Sequence, residues 1–516
     1  MNTPNTHPSL FRSRRNTALT AAATAAAVWL LATGPARSQT IGVNFSGLSL
    51  TDINALGSNL APPDTDGAIG PNHFVEFING GYAVFNRNGT LATSAVSDRT
   101  FWLNAGVSST LVNQGLSDTR IKYDPLTQRW FAAEITVAST NTVLLGVSKT
   151  SNPLDGWNST SFKVTGTTRF NDYPTLSVDA NAVYIGSNDF NTAGTAFIGT
   201  TLSSIPKSSL LALAPTTAGI ATFIQNTSAP TMGFTPQVPT NYGSGYTGSK
   251  IVSISATAYN QMQITPINNT GAAGATLSAA QTIGVAFDGD PTYARQPNGS
   301  RNIDTLDYRF SGTIYQVGSK IYGANAFNPA VQTGGATPTA AGNSAIHWIV
   351  LDAASSAVLQ EGLITDGAHD LWQPSIAANA NGDVVIGYNK SGTDMNISSF
   401  AAVGHTVGGV LSFTDQVLLA TSAVNNYTDG FSTNPDRWGD FSATMVDPND
   451  PFSFWTIQEV AVGTTTWGTQ ITQLILPVPE PATIIVGLLC FGAGLLRRRR
   501  SHDLCQRLER SERPGV

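Results

Sequence analysis

Four segments of this chain read as copies of one another, and that recurrence limits the available folds more than any other feature. Ser117-Asp118-Thr119-Arg120-Ile121 aligns with Asn171-Asp172-Tyr173-Pro174-Thr175, His369-Asp370-Leu371-Trp372-Gln373 and Arg437-Trp438-Gly439-Asp440-Phe441. In each copy a polar or acidic cluster leads into a strand of small and apolar residues. A more aromatic strand follows, at 130–133, 184–186, 385–388 and 454–456. Weaker copies begin at Asp64, near 304–310 and near 234–236. A unit recurring every ~50 to 75 residues cannot bury both faces alone, whereas units stacked around an axis can. Seven units over residues 63–476 predict an all-β fold, a seven-bladed β-propeller, with β-sandwich domains as the alternative.

The local pattern agrees. Between residues 41 and 476 no apolar period of 3.6 residues is sustained, and short runs rich in β-branched and aromatic residues alternate with Gly, Asn, Asp and Pro. Runs at 74–78, 82–85, 183–186, 251–255, 346–351 and 384–388 read as strands, with Asn88-Gly89 and Asn381-Gly382 as hairpin turns. The glycine-rich span 241–274 reads as a surface insertion, and residues 39–62 as a linker.

Composition excludes several functions. Residues 39–478 hold 29 acidic and 16 basic residues, a net charge of −13 against −6 for the whole chain. So acidic a surface argues against nucleic acid as a partner. Both cysteines, Cys490 and Cys505, lie outside this stretch, which therefore has no disulfide, no cysteine-held zinc and no cysteine nucleophile. A hydrolase elbow, a phosphate-binding loop and a dinucleotide fingerprint are all missing from the sequence.

The two ends carry the clearest functional signal. Residues 1–38 have the form of a secretory signal peptide: Arg12, Arg14 and Arg15 precede the apolar run 18–32, and Ala36-Arg37-Ser38 fits the small-x-small cleavage pattern. At the other end Pro479-Glu480-Pro481 precedes an uncharged stretch, 482–496, and then Arg497, Arg498, Arg499 and Arg500. As a helix that stretch spans roughly 22 Å, short of a hydrocarbon core of roughly 30 Å. The arginines would hold its end on the cytoplasmic side.

This order resembles the PEP-CTERM sorting signal of secreted bacterial proteins, over residues 477–500. The resemblance implies recognition of Pro479, Glu480 and Pro481 by an exosortase, a membrane protease-transpeptidase that cuts near them. It also implies a Gram-negative-type cell envelope, surface or matrix location and an association with exopolysaccharide and biofilm. The tail 501–516, expected to be cytoplasmic, departs from the pattern, because such proteins usually stop after the basic cluster. The segments 63–73 and 437–442 further resemble secreted propellers of sialidase-like and glycosidase-like appearance, a likeness that assigns no activity.

Loops before the first strand of each unit would gather at one mouth of the axial channel. That places Asp118, Asp172, Asp370 and Asp440 with Arg120, Arg437, His369, Tyr173, Trp372 and Trp438. Aromatic faces stack on sugars while carboxylates and arginine grip hydroxyls, so the funnel suits a polysaccharide; a carboxylate pair there would suit a glycoside hydrolase or lyase. Repetition favours a third role, in which each aspartate closes a turn on backbone N–H groups. Asp64 and Asp66, with the carbonyls of Gly67 and Asn72, are oxygen donors suited to calcium, although no glutamate follows to complete a calcium loop. The reading favoured is a non-enzymatic surface protein that binds polysaccharide or an envelope partner.

Overall fold

The computed structural model describes residues 39–164, 168–227, 231–244, 248–286, 289–298, 301–330, 342–431 and 435–478. Among them the strands form seven antiparallel sheets, most of them meanders in chain order, arranged as a seven-bladed propeller. Blade 1 is Asp66–Ile69, His73–Ile78 and Gly81–Asn86; blade 2 is Leu116–Asp124, Arg129–Thr136, Val143–Ser148 and Trp157–Phe162. Blade 3 runs Arg169–Val178, Ala182–Asn191, Phe197–Pro206 and Ala221–Asn226. Blade 4 has Phe234–Gln237, Ser249–Ile254 and Gln261–Asn268, with Thr276–Leu277 and Gln281–Gly284 both pairing the last of these. Blade 5 is Tyr315–Val317, Lys320–Phe327, Ala345–Asp352 and Val358–Ile364, and blade 6 is Asp370–Ala378, Asp383–Gly392, Met395–Val407 and Val410–Thr421.

Blade 7 joins the two ends of the domain. Its inner strands are Ala443–Asp447, Asp450–Gly463 and Thr466–Ile475, and its outer strand is Thr40–Ser49, with Thr40 opposite Ile475 and Phe45 opposite Ile471. Residues 39–62, expected to be a linker, thus supply a structural strand and the helix Leu50–Ala55. The strand was hidden because it lies at an edge, exposed over much of its length, and finds its partner more than 400 residues away. The span 241–274 is likewise corrected: it carries the second and third strands of blade 4, whose buried Val252, Ile254, Met262 and Ile264 pack toward blade 5. Residues 304–310 prove to be the approach to the inner strand of blade 5 and not that strand itself.

Blade faces are held by apolar burial. Phe74 and Trp455, both inaccessible to solvent, pack with ring centroids 5.7 Å apart between blades 1 and 7. Burying such side chains is worth about 2 to 3 kcal/mol each. Blade 1 has three strands, and its outer edge is covered by the following segment through bridges from Tyr82 to Val96 and from Phe85 to Leu91. That segment leads to the helix Asp98–Asn104, whose N-cap Ser97 accepts from the Thr100 N–H. The helix exists to place Phe101 and Trp102 against Phe77, Tyr82 and Trp130. The turn after the inner strand of blade 6 is closed by Gly382 at φ +82°, as the Asn-Gly pair led one to expect. Where blades converge, side chains must be small: a Cβ at Gly186 would run into the Pro236 carbonyl of the next blade.

Among the described residues no helix is long and apolar enough to cross a membrane. The expected signal helix within 1–38 and the C-terminal membrane helix at 482–496 lie outside those residues.

Candidate functional site

The repeated motif marks one structural event. In blades 2, 3, 4 and 6 two residues of the inner strand oppose one of its neighbour, a β-bulge, and the first of the two has a left-handed backbone: Asp118 (φ +63°), Tyr173 (+55°), Thr235 (+52°) and Gln373 (+47°). Asp64 (+47°) and Gly439 (+115°) also have positive φ just before the inner strands of blades 1 and 7. These kinks turn backbone N–H groups sideways, where the adjacent blade meets them. Asn79 of blade 1 accepts from the Asp118 N–H at 2.8 Å, Asp118 from the Tyr173 N–H at 3.0 Å, and Asn188 of blade 3 from the Thr235 N–H at 2.8 Å. Asp64 closes the ring by accepting from the Asp440 N–H at 2.9 Å.

Around this ring the structure places the sequence-predicted residues in two groups. Asp118, Arg120, Tyr173, Asp370, Trp372 and Trp438 are buried, whereas Asp172, His369 and Asp440 are half-buried and Arg437 is exposed. Arg120 donates through Nε to the Pro174 carbonyl at 2.8 Å, and its guanidinium carbon sits over the Phe441 ring, 3.2 Å from its centre. Asp370 accepts from Arg295, both at N (3.0 Å) and at Nε (2.8 Å), in blade 6. The Trp438 indole donates to Asn389 at 3.1 Å and meets Trp372 edge to face. His369 pairs with Asp394 on the flank of blade 6, at 3.1 Å.

Arg437 and Asp440 pair at 2.7 Å on the mouth itself. Burial, reinforced by Asp440 and then Asp118, raises the Asp64 carboxyl well above its ordinary range. Burial and Asp440 raise Asp118 as well. Asp172 is pushed up to about 7, first by burial, then by Asp118 and Asp440, with Arg309 opposing. Arg309 is a member that sequence reasoning missed: it pairs with Asp307 at 2.6 Å and stacks on the Tyr173 ring at 4.3 Å. Its signal was the weak copy at 304–310, too degenerate to align. Glu459, also missed, is 2% exposed in the second strand of blade 7, and neither carboxylate oxygen has a hydrogen-bond partner.

The carboxylates of Asp64 and Asp66 serve different donors. Asp64 accepts from Asn79 Nδ2 at 2.7 Å and from Asp440 N, and Asp66 from Gly67 N (2.8 Å) and Ile121 N (3.2 Å). Among the described residues no three His, Cys, Asp or Glu side chains are grouped so as to hold a metal ion.

At the opposite mouth, where the inner strands end, a cavity of about 380 Å³ opens on the axis. Ile69, Tyr123, Val317, Ala378 and Asp447, each at or beside the end of an inner strand, line it together with Tyr242 from the loop that follows blade 4's first strand. None of the candidate glycan-contacting residues lines it; later residues of the repeated copies do, Lys122, Tyr123 and Asp447 among them, and sequence reasoning did not foresee the cavity.

Comparison with known proteins places the address on firm ground. Residues 477–500 are a PEP-CTERM protein-sorting motif. A protein carrying the PEP-CTERM motif is an exported protein of the bacterial cell envelope or surface, and the motif implies processing by an exosortase. The residues expected to carry it, Pro479, Glu480, Pro481 and Arg497, Arg498, Arg499 and Arg500, lie within the matched stretch but outside the described residues. No curated protein matches the chain. Among solved structures, the α-L-arabinanase of Penicillium chrysogenum complexed with arabinobiose is similar at 8% identity and a TM-score of 0.40, over 84% of this chain and 98% of that one. The Dos1 propeller is similar at 9% identity and a TM-score of 0.37, over 85% and 95%. An α-L-arabinofuranosidase of Fusarium graminearum with an iminosugar inhibitor gives 9% and 0.35, over 80% and 93%. At these values no activity carries over to this chain.

Proposed function

We propose that this protein is a surface or extracellular-matrix component, exported by its N-terminal signal and sorted by an exosortase, whose propeller binds polysaccharide or another envelope partner. The sorting motif at 477–500 is the observation that carries the reading. Before processing, the apolar stretch 482–496 would hold the chain in the membrane, with the tail 501–516 inside.

Binding is assigned to the mouth where the inner strands begin, because charged groups reach solvent there. Arg437, Asp440 and Asp172 would meet sugar hydroxyl or acidic groups, and the buried Asp118, Arg120 and Tyr173 would hold the loops that carry them. Binding is favoured over cleavage because three of the four repeated aspartates are already committed: Asp118 to the Tyr173 N–H, Asp440 to Arg437 and Asp370 to Arg295, which leaves Asp172. Glycosidic cleavage would need a pair left free to hold water or a leaving oxygen.

A glycan array probed with the purified propeller, with reducing-end release monitored in parallel, tests this. Retention without product, lowered at least tenfold in Arg437→Ala, is expected; product release would replace binding by hydrolysis, and silence on envelope polysaccharides would remove the glycan reading. Cell fractionation tests the sorting step. Glu480→Ala should accumulate as a longer, membrane-held form, and unchanged processing would refute exosortase recognition of this motif.

A further inference from the structure

The axial cavity at the far mouth is separate from the glycan-binding mouth, and its lining has a chemistry of its own. Its walls are largely apolar, and the rings of Tyr123, Tyr242 and Tyr315 contribute to them. Tyr242 and Tyr315 face each other with centroids 6.5 Å apart and planes inclined at 55°. A volume of about 380 Å³ falls within the usual range for small-molecule sites.

Of the lining side chains only two carry charge, Lys122 and Asp447. Asp447 is already satisfied: it pairs with Arg87 and accepts from the Trp455 indole at 3.0 Å. Lys122 is not. It is 4% exposed, and its nearest anionic atom, Asp66 Oδ1, is 3.8 Å from Nζ, beyond hydrogen-bonding distance. The two oxygens of Asp66 are also occupied by the Gly67 and Ile121 N–H groups. An ammonium carries three donors, so a buried lysine held this loosely retains unused donor capacity beside an apolar chamber.

We propose that the cavity binds a small aromatic acid, with the flat apolar body among Tyr123, Tyr242 and Tyr315 and its single anionic group on Lys122. Charge complementarity selects this occupant. A neutral apolar molecule would leave the ammonium desolvated with donors unmet beyond its long ion pair to Asp66, and a cation would be repelled by it. Burial already holds the Lys122 ammonium below its ordinary pKa, with Asp66 opposing, and a bound anion relieves that cost. Access is from one side: at the other end Tyr173 crosses from blade 3 to the Asp440 carbonyl of blade 7.

The propeller from Gln39 to Ile475 is a compact unit that closes its own ring, so it serves as the test protein. Anilinonaphthalene sulfonate and its uncharged parent, phenylnaphthylamine, share one aromatic body and differ in the anion. Fluorescence titration should show one sulfonate dye bound per chain, roughly ten- to a hundredfold more tightly than the neutral dye. Lys122→Met should bring the two affinities together. Ala380→Trp, an exposed position on the cavity rim, should weaken both dyes without disturbing the fold. Equal affinities in the wild type, or sulfonate binding untouched by Ala380→Trp, would overturn the proposal even if Lys122→Met failed to fold.

Discussion

The Tyr173 hydroxyl donates to the backbone carbonyl of Asp440 at 2.9 Å, a bond that joins blade 3 to blade 7 across the centre of the propeller. Tyr173 is 1% exposed, and its ring is flanked by the guanidinium groups of Arg120 and Arg309. Tyr173→Phe keeps the ring and removes the donor, leaving a buried carbonyl short of a partner. Stability should fall by about 1 to 2 kcal/mol, read from the urea midpoint at constant slope.

Glu76 links three parts of the ring closure. From blade 1 it accepts from the Leu48 N–H at 2.9 Å and from the Thr469 hydroxyl at 2.5 Å. Burial raises its carboxyl to about 7, against the two hydrogen bonds that lower it. The folded state therefore holds this proton more tightly than the unfolded chain. Its contribution is complete below the unfolded value of 4.5 and is lost as pH rises through about 7. Glu76→Gln should flatten the decline in stability over that window, by about 1 to 3 kcal/mol at its upper end. Asp172, also raised to about 7, acts with the same sign, so some slope should remain. Urea midpoints at low and neutral pH decide the matter, and parallel curves for variant and wild type would contradict it.

Glu459 makes a related case without partners. Burial raises its carboxyl well above the ordinary range, Asp64 adds to the rise, and Arg437 opposes it. Glu459→Gln removes the charge while keeping the shape. At neutral pH the variant should be more stable than wild type by about 1 kcal/mol, and at acid pH the two should unfold together. A scanning calorimetry comparison at the two pH values provides the check.

How much of this was legible follows from where each signal resides. The copies at 117–121, 171–175, 369–373 and 437–441 declare themselves because each contains a kink, at Asp118, Tyr173, Gln373 and Gly439, which falls at different places in the aligned copies, and a kink with positive φ restricts residue choice locally. The copies at Asp64 and 234–236 are weaker in sequence yet lead into inner strands all the same. Arg309 gave only the degenerate copy at 304–310 and Glu459 no signal, since their roles arise from Tyr173 and Asp64, residues far off in sequence. The axial cavity was invisible for the same reason: Lys122, Tyr242 and Tyr315 come from separate blades and connections, and no local pattern relates them. Repetition in the sequence reported the joints between blades, and the chamber they enclose had to be seen.

Removal of residues 40–49 tests the closure of the ring. The deletion would strip Thr466–Ile475 of its outer partner and leave a long strand edge open beside Trp467 and Ile471. Such an edge recruits other chains. Size-exclusion chromatography should show larger oligomers or aggregate in place of the wild-type peak, and an unaltered elution volume with the wild-type melting temperature would contradict the assignment.

That the outer strand of the last blade is the first strand of the domain sets a timetable for export. A chain threaded through a translocation pore amino end first releases Thr40–Ser49 early, yet this strand has nothing to pair with until Thr466–Ile475 has followed. The longest-range contact in the fold is thus the last to become possible. Maturation and sorting are placed back to back, because the next residues to emerge after the ring can seal are those of the address itself.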